Sequence, residues 1–173
     1  MENTIYPKVT DSLDKYRDLF IANNVLKEKY IGFYNREFYC LDNFSSFFVE
    51  YKGKLYPTIE HAYQAIKFEK TSPDIMEKIR TCLSAYDSKI IADENSNLID
   101  PNWNNIKLDV MEKLLRTKLE MHPHVKDKLL RTKDCLICED SPKDYFWGIG
   151  ETGEGQNKLG KLWMKLRSEL QNQ

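Results

Sequence analysis

Glu60, Gln64 and Lys67 put a carboxylate, a carboxamide and an amine into one short run, Pro57-Thr58-Ile59-Glu60-His61-Ala62-Tyr63-Gln64-Ala65-Ile66-Lys67-Phe68. At about 100° per residue, spacings of i, i+4 and i+7 bring the three onto one side of a helix. Such a row holds an acid or base, a hydrogen-bonding group that can orient a substrate, and an amine able to act as a nucleophile. These are the groups a glycosidic or carbonyl centre needs. The same residues facing water would be an ordinary polar stripe. The run itself reads as helix. Thr58 is a suitable N-cap, no proline or glycine follows it, and Ile59, Ala62, Tyr63, Ala65 and Ile66 cover the arc beside and behind the polar row.

A second stretch, residues 140–157, gathers four of the seven glycines (Gly148, Gly150, Gly153, Gly155) within eight residues, directly after Tyr145-Phe146-Trp147. Asn157 is a candidate N-cap for a last helix carrying Leu159, Leu162, Trp163, Leu166 and Leu170. Glycines ahead of a helix let backbone amides approach an anion, and an aromatic beside them offers a face for a base. The pattern is not a dinucleotide fingerprint, because no GxGxxG follows a strand in a βαβ unit. A surface loop is the competing reading.

The elements that must position these groups follow from the rest of the chain. At 173 residues, 41% hydrophobic and 31% charged, it fits one domain with a sizeable core. A net charge of −1 argues against coating nucleic acid by bulk electrostatics. No apolar run is long enough to span a membrane, and the first residues do not resemble a secretory signal. Residues 1–28 read as a helical appendage, with Ser12 capping Leu13, Tyr16, Leu19 and Phe20, and 29–173 as the main domain. Short strands are expected at 30–34, 38–40 and 134–139, and a hairpin at 47–56 turning on Lys52-Gly53. Helices are expected from Ser72-Pro73-Asp74, around Tyr86 to Ala92, and from Asn105 to Met121 with Trp103 just before it and Leu108, Met111, Leu115 and Leu119 inward. Residues 93–101 read as a loop, and His122-Pro123-His124 as a helix corner rather than a metal site. Cys40, Cys82, Cys135 and Cys138 read as buried thiols of a reducing compartment, which points to the cytoplasm without excluding the nucleus. The expected class is α+β, a compact, predominantly helical single domain around a small β-sheet.

In order and spacing, these segments resemble the NADAR family, also called YbiA-like. The resemblance covers about Ile31 to Leu170. It is carried by Asp42-Asn43-Phe44-Ser45, by Tyr56 through Phe68, by Trp103 with Lys107 and Met111, and by Thr132, Leu136, Glu139 and Asp144. It continues through Trp147-Gly148, Gly150, Gly155, Asn157, Leu159-Gly160 and Arg167. Many relatives have an aspartate between the two glycines after the tryptophan. Here that position is Ile149, which leaves Asp144 or Glu151 to cover any acid role. The resemblance implies hydrolysis of N-glycosidic bonds, with neither cofactor nor metal. The substrate it implies is ADP-ribose on guanine, as a small molecule or in nucleic acid, or a phosphorylated ribosylamino-pyrimidine of riboflavin biosynthesis. On that reading Lys67 is the nucleophile, with direct attack by water assisted by Glu60 as the alternative, Glu60 moves protons, and Gln64 orients the sugar. Asn43 lines the pocket, Trp103 and Trp147 stack on a ring, and Gly148, Gly150, Gly155 and Asn157 hold phosphate. Two other classes stay open, a non-catalytic ADP-ribose binding module and an interaction scaffold whose polar row meets solvent. No membrane association or obligate protein partner is expected.

Overall fold

The computed structural model describes residues 30–33 and 38–172, so the N-terminal helix expected around Ser12 lies outside the described residues. In chain order the elements are β1 (Tyr30–Gly32), a 3-10 turn (Tyr39–Leu41), β2 (Val49–Tyr51), β3 (Lys54–Tyr56), α1 (Ile59–Ile66), α2 (Pro73–Thr81) and α3 (Ala85–Glu94). A second 3-10 turn (Ser96–Leu98), α4 (Trp103–Met121), α5 (Pro123–Arg131), β4 (Leu136–Cys138) and α6 (Lys158–Gln171) follow. The class is α+β, as expected. Among the described residues the sheet is two separate two-stranded ladders, β1 with β4 and β2 with β3. Contacts divide the chain into two compact units, Asn43–Lys126 and a second made from the segments on either side of it.

In Asn43–Lys126, β2 and β3 form the expected antiparallel hairpin with Val49 opposite Tyr56. Lys52 (φ 50°) and Gly53 (φ 76°) both take the left-handed region, which matches the twist of a two-residue hairpin turn. Tyr56 delivers the chain to α1, where Thr58 caps as expected, its Oγ1 accepting from His61 N at 3.2 Å. Helix α1 packs against α2, α3, α4 and both hairpin strands. Its eight residues are all buried, polar ones included. Helix α2 begins on Pro73 and carries Asp74 in its first turn and Lys78 and Arg80 in its last, matching the helix dipole. Ser84 caps α3.

Three expectations in this unit need correcting. Residues 93–101 are not one loop, because α3 runs on to Glu94 and a 3-10 turn follows. Trp103 is the first residue of α4, not its predecessor. Leu108 is exposed, and the inward face of α4 is instead Met111, Leu114, Leu115, Lys118 and Leu119.

In the other unit β1 pairs with β4 in parallel, Tyr30 opposite Leu136 and Gly32 opposite Cys138. Helix α6 packs on β4. Trp163, fully buried, donates from Nε1 to the Leu41 carbonyl at 2.9 Å. Buried Arg167 donates to Thr132 Oγ1 at 2.7 Å and to the Cys135 carbonyl at 2.8 Å. The strand expected at 38–40 is a 3-10 turn, because Leu41 N and Asp42 N bond back to Phe38 O and Tyr39 O. Strand β4 is shorter than 134–139, since Cys135 N turns back to Thr132 O and Glu139 N bonds a side chain, not a strand. Cys40, Cys135 and Cys138 are buried, and Cys82 is half-buried.

Candidate functional site

The row on α1 does not face water. Glu60 is 6% exposed and Gln64 5%, while Lys67, just past the helix end, is half-buried. The helix is enclosed because α2, α3 and α4 cover the sides that a surface helix would leave open. Gln64 Nε2 donates to Glu60 Oε1 at 2.7 Å, tying the amide to the carboxylate one turn earlier. Gln64 Oε1 is also shut away from solvent and meets no hydrogen-bond donor among the described residues.

Burial holds the Lys67 ammonium below its ordinary range. The Glu60 and Asp93 carboxylates oppose that shift, and Lys89 and Lys107 add to it. An amine in that setting loses its proton more readily, as a nucleophile must. Lys67 Nζ stands 5.5 Å from the centre of the Tyr63 ring, and Trp103 packs edge-on with the same ring, centroids 5.0 Å apart. Trp103, expected to stack on a substrate ring, is 7% exposed.

Asn43 joins this group through the backbone, its carbonyl accepting from Glu60 N at 3.0 Å. Its side-chain Nδ2 lies 3.6 Å from Met111 Sδ, and its Oδ1, like that of Gln64, is buried without a donor among the described residues. Two residues that sequence reasoning did not assign to the site therefore hold Asn43. One is Met111. The other is Lys118, fully buried, whose Nζ donates to Ser45 Oγ at 2.7 Å and anchors the turn that follows Asn43. The signal for Met111 was its place two turns beyond Trp103 on one face of α4.

The glycine-rich segment is built differently. Asp144 Oδ1 accepts from Phe146 N at 2.9 Å and Trp147 N at 2.6 Å, so the carboxylate closes a turn on its own chain. Trp147 is half-buried, with Phe146 edge-on at 5.0 Å. Gly148 passes so close to its neighbours that a Cβ there would meet the Glu139 carbonyl at 2.7 Å and the Asp144 carbonyl at 2.9 Å. A Cβ on Gly155 would collide with the Gly148 carbonyl and the Ile149 backbone. Gly150 has φ +66° and lies under the Tyr145 ring. Asn157 precedes α6 without capping it. Both ends of its carboxamide are engaged, Oδ1 accepting from Glu139 N at 3.0 Å and Nδ2 donating to the Ile137 carbonyl at 2.9 Å. These residues shape the segment, the glycines by close backbone approach and Asn157 by the two bonds of its carboxamide. A cavity of about 410 Å³ beside this segment is lined by Leu136, Cys138, Ile149, Asn157, Lys161 and Met164 among others.

The same unit holds a carboxyl that sequence reasoning left out of the site. Glu139 is 7% exposed. Burial, reinforced by the Asp42, Asp140 and Asp144 charges, pushes its carboxyl well above the usual range. Among the described residues no three His, Cys, Asp or Glu side chains are arranged to hold a metal ion, and no helix is long and apolar enough to cross a membrane.

Comparison with known proteins places this arrangement. A family model described as the NADAR domain matches residues 32–171. The N-glycosidase YbiA of Escherichia coli (strain K12) is 34% identical over 149 residues, covering 85% of this chain and 92% of that protein. The chloroplastic riboflavin biosynthesis protein PYRR of Zea mays is 37% identical over 123 residues, which are 66% of this chain and 20% of that protein. The NMR structure of E. coli YbiA superposes with a TM-score of 0.75 at 34% identity, covering 84% of this chain and 87% of that one.

Proposed function

The chain belongs to the NADAR domain family, and we propose that it is an N-glycosidase that breaks the bond between ribose C1 and a base nitrogen. The observation that carries this reading is the enclosure of Glu60 and Gln64 beside an amine that burial holds below its ordinary pKa. A polar stripe made for water would leave all three groups solvated, as the scaffold reading requires. A binding module has no use for an amine whose charge its surroundings disfavour.

The chemistry follows from the row. Glu60 gives a proton to the leaving nitrogen as the C1–N bond breaks. The Lys67 lone pair bonds to C1 as the base leaves, one amine proton passes to the Glu60 carboxylate and the other to the ring oxygen as its bond to C1 breaks, and a Schiff base results. Water adds to that imine and releases the sugar as its aldehyde, which closes again to the ring, and Lys67 and Glu60 return to their starting states. Overall, one water is consumed and the base leaves carrying a hydrogen. Gln64, between the two reacting groups on the row, orients the sugar, and Asn43 lines the same wall. Of the glycine-rich segment, Asp144, Gly148, Gly150, Gly155 and Asn157 serve by holding that segment's shape.

As substrate we assign ADP-ribose linked to guanine, in a small molecule or in nucleic acid, following the family resemblance. A phosphorylated ribosylamino-pyrimidine is the second reading, favoured by the likeness to a protein named for riboflavin biosynthesis. Buried thiols favour a reducing compartment such as the cytosol. The test offers the purified protein ADP-ribosylated guanosine and, separately, the ribosylamino-pyrimidine phosphate, and follows the free base by chromatography. Release from the first supports the assignment. Release from the second alone selects the alternative, and release from neither contradicts the glycosidase reading.

A further inference from the structure

We propose that Asn43 and Gln64 form a hydrogen-bond acceptor face that reads a sugar hydroxyl, so that the protein selects ribosides over 2′-deoxyribosides. The choice of a sugar as ligand rests on the glycosidase reading, whereas the acceptor character of the face rests on geometry alone.

Each carboxamide has its orientation fixed by what its NH2 group meets. The Gln64 amine end faces the Glu60 carboxylate at 2.7 Å, and that of Asn43 faces the Met111 thioether at 3.6 Å. Carboxylate and thioether only accept hydrogen bonds, so turning either amide over would set an oxygen against an acceptor. The leftover atoms are therefore oxygens on both residues. Asn43 is 7% exposed and Gln64 5%, and neither oxygen has a donor among the described residues. Folded proteins rarely leave buried carbonyls in that state. Here two occur on residues linked through Glu60, whose amide bonds the Asn43 backbone and whose carboxylate bonds the Gln64 side chain.

A face of two bare carbonyl oxygens beside a carboxylate disfavours phosphate, which brings more acceptors and negative charge. It suits a group that donates. A sugar hydroxyl and an exocyclic amine of the base both qualify. The hydroxyl is favoured because Gln64 stands on the row between Glu60 and Lys67, the groups assigned to the sugar carbon. A site built to bond a hydroxyl rejects the analogue lacking it far more strongly than an apolar pocket does, because its own polar atom is left bare.

The experiment is titration calorimetry of the full chain with ribose 5-phosphate against 2-deoxyribose 5-phosphate, and with guanosine against inosine monophosphate, repeated on Gln64→Met. The expected result is binding of the ribose compound at least about tenfold tighter than the deoxyribose compound. Guanosine and inosine monophosphates should bind alike, and the sugar preference should shrink in Gln64→Met. Equal binding of the two sugars, or no binding of either, overturns the inference and leaves the oxygens to buried water. A split between the guanosine and inosine compounds without a sugar split overturns it in favour of the base amine. The wild-type comparison decides even if the variant fails to fold. Base release with no sugar preference defeats this inference alone, and a sugar preference without base release from either substrate defeats the glycosidase reading alone.

Discussion

Helix Ile59–Ile66 and the glycine-rich segment 140–157 are both rich in polar groups and both folded tightly, yet they treat those groups in opposite ways. The segment consumes its hydrogen-bonding capacity internally, through Asp144 on the Phe146 and Trp147 amides and through both ends of Asn157. The helix leaves the buried Gln64 oxygen without a donor among the described residues, as Asn43 beside it leaves its own, and just past its end Lys67 sits in surroundings that disfavour its charge. A stretch that satisfies itself stabilises the fold. One that is left incomplete costs stability and has to be explained by what it meets. The contrast lies in which polar groups find partners, and composition alone does not reveal it.

Substitutions on the two stretches should fail in different assays. Lys67→Ala should reduce base release by roughly 10³-fold or more, as removal of a covalent nucleophile does, and Glu60→Gln by about 10²–10⁴-fold. Both should melt near the wild-type temperature in a calorimetric scan. Gly155→Ala should show the reverse order of effects, losing about 1–3 kcal/mol of stability from backbone overlap in a urea titration. If Gly155→Ala melts normally and yet loses all turnover, the contrast between the two stretches is wrong.

Glu139 sharpens the comparison from the scaffold side. Its carboxyl is raised above its unfolded value, so the neutral form is the one the fold favours. The stability this contributes is fully present below the unfolded pKa, about 4.3, and is lost as pH rises toward the folded pKa. Glu139→Gln should therefore raise the melting temperature at neutral pH and flatten its fall between mildly acidic and neutral pH. An unchanged profile would mean the carboxyl is solvated. The smallest effect belongs to Lys107→Gln. Removing a cation that helps to depress Lys67 should move the acid limb of the pH–rate profile upward, and only slightly, given screening at a half-exposed site.

Much of the local structure was legible in the sequence because it depends on neighbours in the chain. The Thr58 cap, the Lys52-Gly53 turn and the Pro73 helix start are of this kind. Phe38 to Cys40 was misread because aromatic and cysteine residues suit strands, whereas a 3-10 turn needs only the next carbonyl back. The spacing of Glu60, Gln64 and Lys67 could be read, but their burial could not. It depends on α2, α3 and α4 closing around α1, and no periodicity within 57–68 encodes that. Asn157 misled for a similar reason. Its position before a helix suggested a cap, while its partners lie at Ile137 and Glu139, far back in the chain.

The most direct test of the central claim is borohydride reduction during turnover of ADP-ribosylated guanosine, followed by peptide mass spectrometry. The structure predicts a reduced sugar adduct on Lys67, absent from Lys67→Ala and from reactions without borohydride. Base release at full rate with no adduct on Lys67, or with undiminished turnover in Lys67→Ala, would contradict the assignment of that amine as the nucleophile.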